Sequence, residues 1–471
     1  MLVRLQPWSR LTFVSLKVQI TDHHKMDNTM ETDPNTVIYH LEAGEFGWDI
    51  APGKTVPAWG FNRQVPGPVL KAKKGDTLVV RVKNNLQEPT IVHWPGIRLP
   101  AAMDGTGDVQ KPIQPGEEFE YRFVVPDAGT FWYHSHANET VQLERGMYGA
   151  LIVEDDTDPV FDRERVMVLD DMKLTADHNF TKPGWFVERW VESHMGREGN
   201  TMLLNGKELP ALDMPAGQTE RWRFINASNA RYILLSLGGH PFRMIGTDGG
   251  LLETPRTLTE FLLAPGERID VAAGPFAEGE TFSIESLPFL GSHDSKKNLE
   301  TYATVQIGAA QPSRAFLPEK LNTIDALAPQ DAPATRSIEF SLGLGLKKGA
   351  DFLINGERHG MDQPVQVGTL QVWEIKNRTL MHHPFHLHGF FFQVLELNGQ
   401  APEYMAWKDT FNIPPSGTLK IAWMPDNRPG MWMYHCHVLE HHATGMMAGF
   451  EVIDGSEPAG KGRPDYLKHC H

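Results

Sequence analysis

Gly75-Asp76-Thr77-Leu78-Val79-Val80-Arg81-Val82-Lys83-Asn84 is the stretch that decides the fold, because the chain writes the same pattern twice more, at Gly217 to Asn226 and at Gly368 to Asn377. In each copy an asparagine stands nine positions after the glycine, and apolar residues fall at the fifth and seventh positions: Val80 and Val82, Trp222 and Phe224, Trp373 and Ile375. Alternation with a period of two marks a half-buried strand. A fixed pattern recurring at long intervals marks a repeated structural unit. The strand-rich text between Gly, Pro and Asn turns therefore predicts an all-β chain of three sandwich or barrel domains.

Counting outward from the glycines separates the three copies. Eighteen residues after Gly75 comes His93, and eighteen after Gly368 comes His386, whereas the middle copy has Leu235 there. In a second register, Gly129 leads in five steps to His134 and Gly430 in five steps to His435, while the comparable stretch Gly279 to Ser286 has no histidine. The outer domains carry matching metal-type residues, and the middle one is expected to be a spacer that holds them in place. The expected boundaries are residues 1–34 for an N-terminal extension, 35–155 for the first domain, 156–308 for the second, 309–336 for a Pro/Ala-rich linker, 337–455 for the third and 456–471 for a tail.

Composition narrows the class. The 471 residues include 41% hydrophobic side chains, 43 glycines and 34 prolines, which fits a turn-rich globular protein. No apolar run approaches the roughly 18 residues of a membrane helix, so no membrane partner is expected. A formal net charge of −15 argues against a nucleic-acid partner. The two cysteines, Cys436 and Cys470, exclude a disulfide framework. Cys470 lies in the expected mobile tail Lys468-His469-Cys470-His471 and is given no role. At the start, Arg4 and Arg10 precede the apolar stretch Leu11 to Leu16, but Lys17 interrupts it and no small-residue cleavage site follows, which makes a poor secretion signal.

Chemistry concentrates in four clusters. They are His93-Trp94-Pro95-Gly96, then His134-Ser135-His136, then His383-Pro384-Phe385-His386-Leu387-His388-Gly389, and last His435-Cys436-His437 with His441 and Met446. With 21 histidines in the chain, about one His-x-His pair is expected by chance when matches are counted, and four are present. On a strand, His435 and His437 point one way and Cys436 the other, so one tripeptide can touch two metal centres. A thiolate, two imidazoles and a distant thioether form the ligand set of a copper site suited to electron transfer. Lone histidines such as His178, His194 and His240 are read as surface or satisfied core residues, since a metal site needs several convergent ligands. Met431, Trp432 and Met433 are read as core packing.

On these four clusters the chain resembles the three-domain multicopper oxidases of the bacterial laccase kind over roughly residues 35 to 455. Leu263-Ala264-Pro265-Gly266-Glu267-Arg268 and Trp407-Lys408-Asp409-Thr410 support the likeness. The resemblance implies cupredoxin-like Greek-key domains. It implies a type 1 copper on His383, Cys436 and His441 with Met446 as weak axial ligand, and a type 2 copper on His93 and His386. It implies one type 3 copper on His136, His388 and His435, and another on His134, His437 and a third histidine from the first cluster. It further implies one-electron oxidation of a phenol or aromatic amine coupled to reduction of O2 to water, Asp104 as a proton donor at the oxygen site, four coppers per chain, and a periplasmic or secreted location. A monomer is the expected state.

Two positions depart from the family. Pro95 stands where it has the third type 3 histidine, and the internal repeat agrees, since His93 pairs with His386 and Pro95 with His388. Proline offers no metal donor, which would leave one type 3 copper with His134 and His437 alone and would allow three or fewer coppers and an impaired oxygen site in place of the four expected, although an extended backbone accommodates the ring. The alternative function is a copper-binding or electron-transfer protein with a degenerate oxygen site. His442 stands where many bacterial relatives have an acid used in proton delivery; it is expected to be a solvated side chain, which leaves the pH optimum open.

Overall fold

The computed structural model describes residues 35–181, 186–291, 298–343 and 351–455, with the side chains of 186–190 set aside. The expected N-terminal extension and the tail with Cys470 lie outside the described residues. The regular structure of the rest is almost entirely strand, gathered into three successive pairs of sheets.

Each copy of the repeated stretch forms a strand with the same two neighbours. Thr77–Asn84 runs parallel to Thr36–Ala51 and antiparallel to Glu118–Val124. Glu220–Asn226 lies likewise between Arg163–Met172 and Arg268–Ala273, and Gln371–Asn377 between Arg336–Gly343 and Thr418–Trp423. The second sheet of each unit repeats another pairing: Gly67–Lys73 runs parallel to Tyr148–Glu154, Ala211–Pro215 to Glu300–Gly308, and Val365–Gln366 to Met447–Ile453. Three cupredoxin-like β-sandwich domains result.

The repeated asparagine explains itself once its hydrogen bonds are followed. Asn84 Nδ2 donates to the carbonyls of Glu88 and Ile113, and its Oδ1 accepts from Leu86 N. Asn226 does the same with Arg231, Leu263 and Ser228, and Asn377 with Met381, Pro414 and Thr379. In every domain one buried side chain clamps the loop that follows its strand to a second backbone segment 29 to 37 residues on, satisfying buried backbone groups.

The apolar positions of the repeat are fully buried in all three copies. The expectation of a half-buried strand needs correction in the middle copy, where the alternate residues Arg221 and Arg223 are also buried. The outer face of this sheet packs on the first domain: Arg221 and Arg223 both reach Asp270, at 2.6 and 3.1 Å, and Arg223 Nη1 donates to Thr130 Oγ1 at 2.9 Å. The middle domain has its own apolar core, whereas the cores of the outer two form one continuous cluster from Leu41 to Val452. Residues 309–335 carry no regular strand between Glu300–Gly308 and Arg336–Gly343, but Val160 and Phe316 bridge and tie this stretch back to the start of the middle domain.

Replacing Asn226 by Ala removes two donated bonds and one accepted bond. It is expected to cost about 2–4 kcal/mol, because buried carbonyls are left unpaired. The effect is read as a lower urea midpoint for the first unfolding transition, and an unchanged midpoint would show that the clamp carries no stability.

Candidate metal centres

A first centre forms at the far end of the third domain. His383 opens the strand His383–Leu387, Cys436 ends the strand Gly430–Cys436, and His441 sits on the short helix Leu439–Thr444. Their ligand atoms make a triangle: His383 Nδ1 to Cys436 Sγ 3.4 Å, Cys436 Sγ to His441 Nδ1 3.5 Å, and the two Nδ1 atoms 3.1 Å apart. The opposite ring nitrogens are held in turn. His441 Nε2 donates to the carbonyl of His194 at 2.8 Å, and His383 Nε2 lies 2.7 Å from Thr379 Oγ1. Fixing the proton on Nε2 leaves the Nδ1 lone pair facing the triangle. His194, read from sequence as an ordinary histidine, takes part through its carbonyl. Burial drives His441 down to about 3 and pushes the Cys436 thiol up, so desolvation favours the neutral form of both groups. Met446 is buried beside them, its carbonyl accepting the Cys436 N–H at 3.1 Å.

The second centre lies between the outer domains. Strand pairing sets His93 across from His134, and His386 across from His435. Because the strand alternates, Cys436 enters the triangle while His435 faces the opposite way into a cluster with His93, His134, His136, His386, His388 and His437. All seven rings are buried. His93 stacks on His388 at 3.8 Å between centroids, and the Nε2 atoms of His388 and His435 are 2.9 Å apart.

Six of the seven rings have Nδ1 engaged. That atom lies 2.7 Å from the Asp104 carbonyl in His93, 2.8 Å from the Ser135 carbonyl in His134, and 2.8 Å from Glu139 Oε1 in His136. It is 2.9 Å from Thr410 Oγ1 in His386, 2.8 Å from Asp104 Oδ2 in His388, and 2.9 Å from the Cys436 carbonyl in His435. The Nε2 atoms of His93, His134, His136, His386 and His437 are buried without a hydrogen-bond partner. Buried nitrogens that converge unpaired are what a metal cluster would satisfy. Burial holds His388 and His435 well below the usual imidazole range and His437 at about 3, which keeps these rings neutral, the form in which imidazole ligates a metal.

Pro95 lies two residues beyond the strand Val92–His93. It takes the second position of a turn from Trp94 to Ile97, with Ile97 N donating to the Trp94 carbonyl at 3.2 Å and Gly96 at φ +82°. That is a type II turn, which favours Pro followed by Gly. The second position of a type II turn has an extended backbone, so the ring is accommodated at a turn that follows the strand.

His442 also departs from expectation. It is not solvated: it is 3% exposed, stacks on His435 at 4.2 Å and 12°, and its Nδ1 lies 2.9 Å from Glu139 Oε2. Glu139 went unassigned from sequence, although its place three residues after His136 at the start of a helical turn was a usable signal. Burial disfavours its charge, but His136 and His442 outweigh that and hold the carboxyl well below its ordinary range.

The two segments that supported the family likeness meet in space. Arg268 Nη1 and Nη2 donate to Asp409 Oδ1 and Oδ2 at 2.7 and 2.5 Å, and Arg268 also donates to the carbonyls of Thr130 and Gly266. Gly266, at φ +83°, presses against His437; a Cβ there would come 2.6 Å from the ring. Beside His441 opens a cavity of about 300 Å³ whose lining includes Tyr232, Phe289, Met381, His382 and Glu198.

Known proteins agree with this geometry. Three multicopper oxidase family models match residues 45–158, 172–311 and 331–456. Multicopper oxidase MmcO of Mycobacterium tuberculosis is 32% identical over 85% of this chain and 84% of its own length. The multicopper oxidase of Campylobacter jejuni, described as a metallo-oxidase, superposes with a TM-score of 0.79 at 29% identity, covering 90% of this chain and 93% of that one. A laccase-like multicopper oxidase of Ochrobactrum sp., described with activity towards lignin model compounds, superposes at 0.78 with 26% identity, covering 89% and 97%. Two histidine-lined centres joined by one tripeptide, on a fold and sequence shared with these relatives, establish that the chain belongs to the multicopper oxidase family of copper-dependent oxidoreductases.

Proposed function

We propose that the chain is a laccase-like oxidase that takes single electrons from small phenols or aromatic amines and passes them to O2. The observation that carries the reading is the tripeptide His435-Cys436-His437, whose cysteine belongs to the triangle with His383 and His441 while its two histidines belong to the cluster between the outer domains. In this reading His383, Cys436 and His441, with Met446 beside them, would hold the type 1 copper, and His93 and His386 would hold type 2. His136, His388 and His435 hold one type 3 copper; His134 and His437 hold the other, with Pro95 at the missing ligand. Bound copper supplies the one-electron redox chemistry, by which four substrate electrons and four protons convert O2 to two waters.

The chain's own residues bind, orient and protonate. Tyr232 and Phe289 flank His382, with ring centroids 5.4 and 5.1 Å from it, and give the cavity beside His441 an apolar wall for an aromatic substrate. Asn412 Nδ2 donates to His382 Nδ1 at 2.9 Å, which leaves Nε2–H to meet a phenolic oxygen. Asp104 accepts from His388 Nδ1 at 2.8 Å and lies 3.4 Å from His93 Nδ1, beside the rings that would meet oxygen; it is assigned proton delivery there. A monomer acting outside the cytoplasm completes the reading. No described helix is long and apolar enough to cross a membrane. Pro95 favours a second reading, an electron carrier with a degenerate oxygen site.

Oxygen uptake during phenol oxidation separates the two readings: the oxidase consumes one O2 per four phenols, the carrier none. Cys436→Ser is expected to abolish the intense visible band and to lower uptake by at least the ~100-fold that loss of even an outer-shell partner costs. Uptake that survives would refute the proposed route. Phe289→Ala is expected to raise KM for a phenol about tenfold, the worth of one buried aromatic wall, with copper content unchanged. A KM that rises for cuprous or ferrous ion and stays constant for phenols would point to a metal ion as substrate.

A further inference from the structure

The family's oxygen site uses eight imidazoles in this chain's numbering, with the eighth at position 95, and Pro95 leaves seven. An eighth buried imidazole nevertheless borders the cluster, that of His442. The ligand atoms of His136, His435 and His442 lie within 4.8 Å of one another, as do those of His93, His386 and His388. His134 and His437 remain as a pair, 5.8 Å between centroids.

Glu139 ties His442 to this arrangement. One carboxylate lies against two rings, with Oε1 2.8 Å from His136 Nδ1 and Oε2 accepting from His442 Nδ1 at 2.9 Å. A carboxylate that accepts a hydrogen bond from Nδ1–H fixes the tautomer and turns Nε2 towards the metal, the common support for a ligating histidine. The same carboxylate thus prepares His442 as it prepares His136. Met447 Sδ lies 3.1 Å from His442 Nε2 and adds a soft atom on the same side.

Building on the oxidase reading, we infer that His442 is a copper ligand that replaces the histidine lost at position 95, and that the ligands are redistributed around it. One copper takes His136, His435 and His442; a second takes His93, His386 and His388; the position with only two imidazoles becomes His134 and His437, where proline removed the third. Three coppers are held by eight imidazoles, as three, three and two, so an oxygen site with a proline in its first motif keeps a full complement. Glu139 is a positioning residue for two of these rings.

The test is copper content per chain after loading with cuprous ion and dialysis, together with the electron paramagnetic resonance and near-ultraviolet spectra. The parent protein, His442→Ala, Glu139→Gln, Pro95→His and the Pro95→His/His442→Ala double variant are compared. The parent is expected to hold four coppers. His442→Ala is expected to lose about one copper and the near-ultraviolet band of the coupled pair while keeping the visible band of the first centre, which reports that the third domain is folded. The double variant is expected to regain both, since histidine at 95 restores the family's distribution, a rescue that general damage by His442→Ala would not permit. Glu139→Gln is expected to fall between parent and His442→Ala. A four-copper parent whose His442→Ala variant keeps its full copper and its coupled band overturns this inference and leaves the oxidase reading standing. A parent that takes up no copper beyond the first centre overturns both.

Discussion

Seven buried, converging imidazoles impose the constraint on which the rest of the structure depends. Six of them engage Nδ1 with a carbonyl, hydroxyl or carboxylate, and their remaining nitrogens meet only one another. Desolvation holds His93, His134, His388, His435 and His437 below the usual imidazole range, so these five do not solve the problem by charging. A metal cluster would satisfy these lone pairs together, and gathering so many buried polar rings is costly, so the site requires rigid support on every side.

That support explains why a domain without metal-type residues is present. Arg268 of the middle domain reaches the first domain at the Thr130 carbonyl and the third at Asp409, whose backbone carbonyl in turn lies 3.1 Å from His386 Nδ1. Asp409 is held well below the usual carboxylate range: burial opposes its charge, and Arg268 outweighs it. Gly266, two residues away, presses the middle domain's loop onto His437, the one ring of the seven with neither nitrogen hydrogen-bonded. His437 is thus placed by packing where the other rings are placed by hydrogen bonds. The spacer is a third wall of the site.

The sequence was most readable where local rules act alone. The Gly-to-Asn stretch announced its strand through alternation, and its asparagine has the same clamp in all three domains. His93 and His386 were found by counting from the repeat's glycines, because equivalent strands carry them to equivalent edges. What stayed hidden depends on contacts between domains. The burial of Arg221 and Arg223 follows from the first domain covering their sheet, and the Arg268–Asp409 pair joins segments 141 residues apart. Pro95 was legible as a missing donor but not as the corner of a type II turn. His442 was misread because its partner, Glu139, lies 303 residues away.

The central claim is that one tripeptide bridges two copper centres, and diffraction at the copper absorption edge tests it most directly. Anomalous peaks are predicted inside the His383, Cys436 and His441 triangle and at three positions between the outer domains, one of them enclosed by His136, His435 and His442. A copper-loaded crystal with a peak in the triangle and none in the cluster would contradict it.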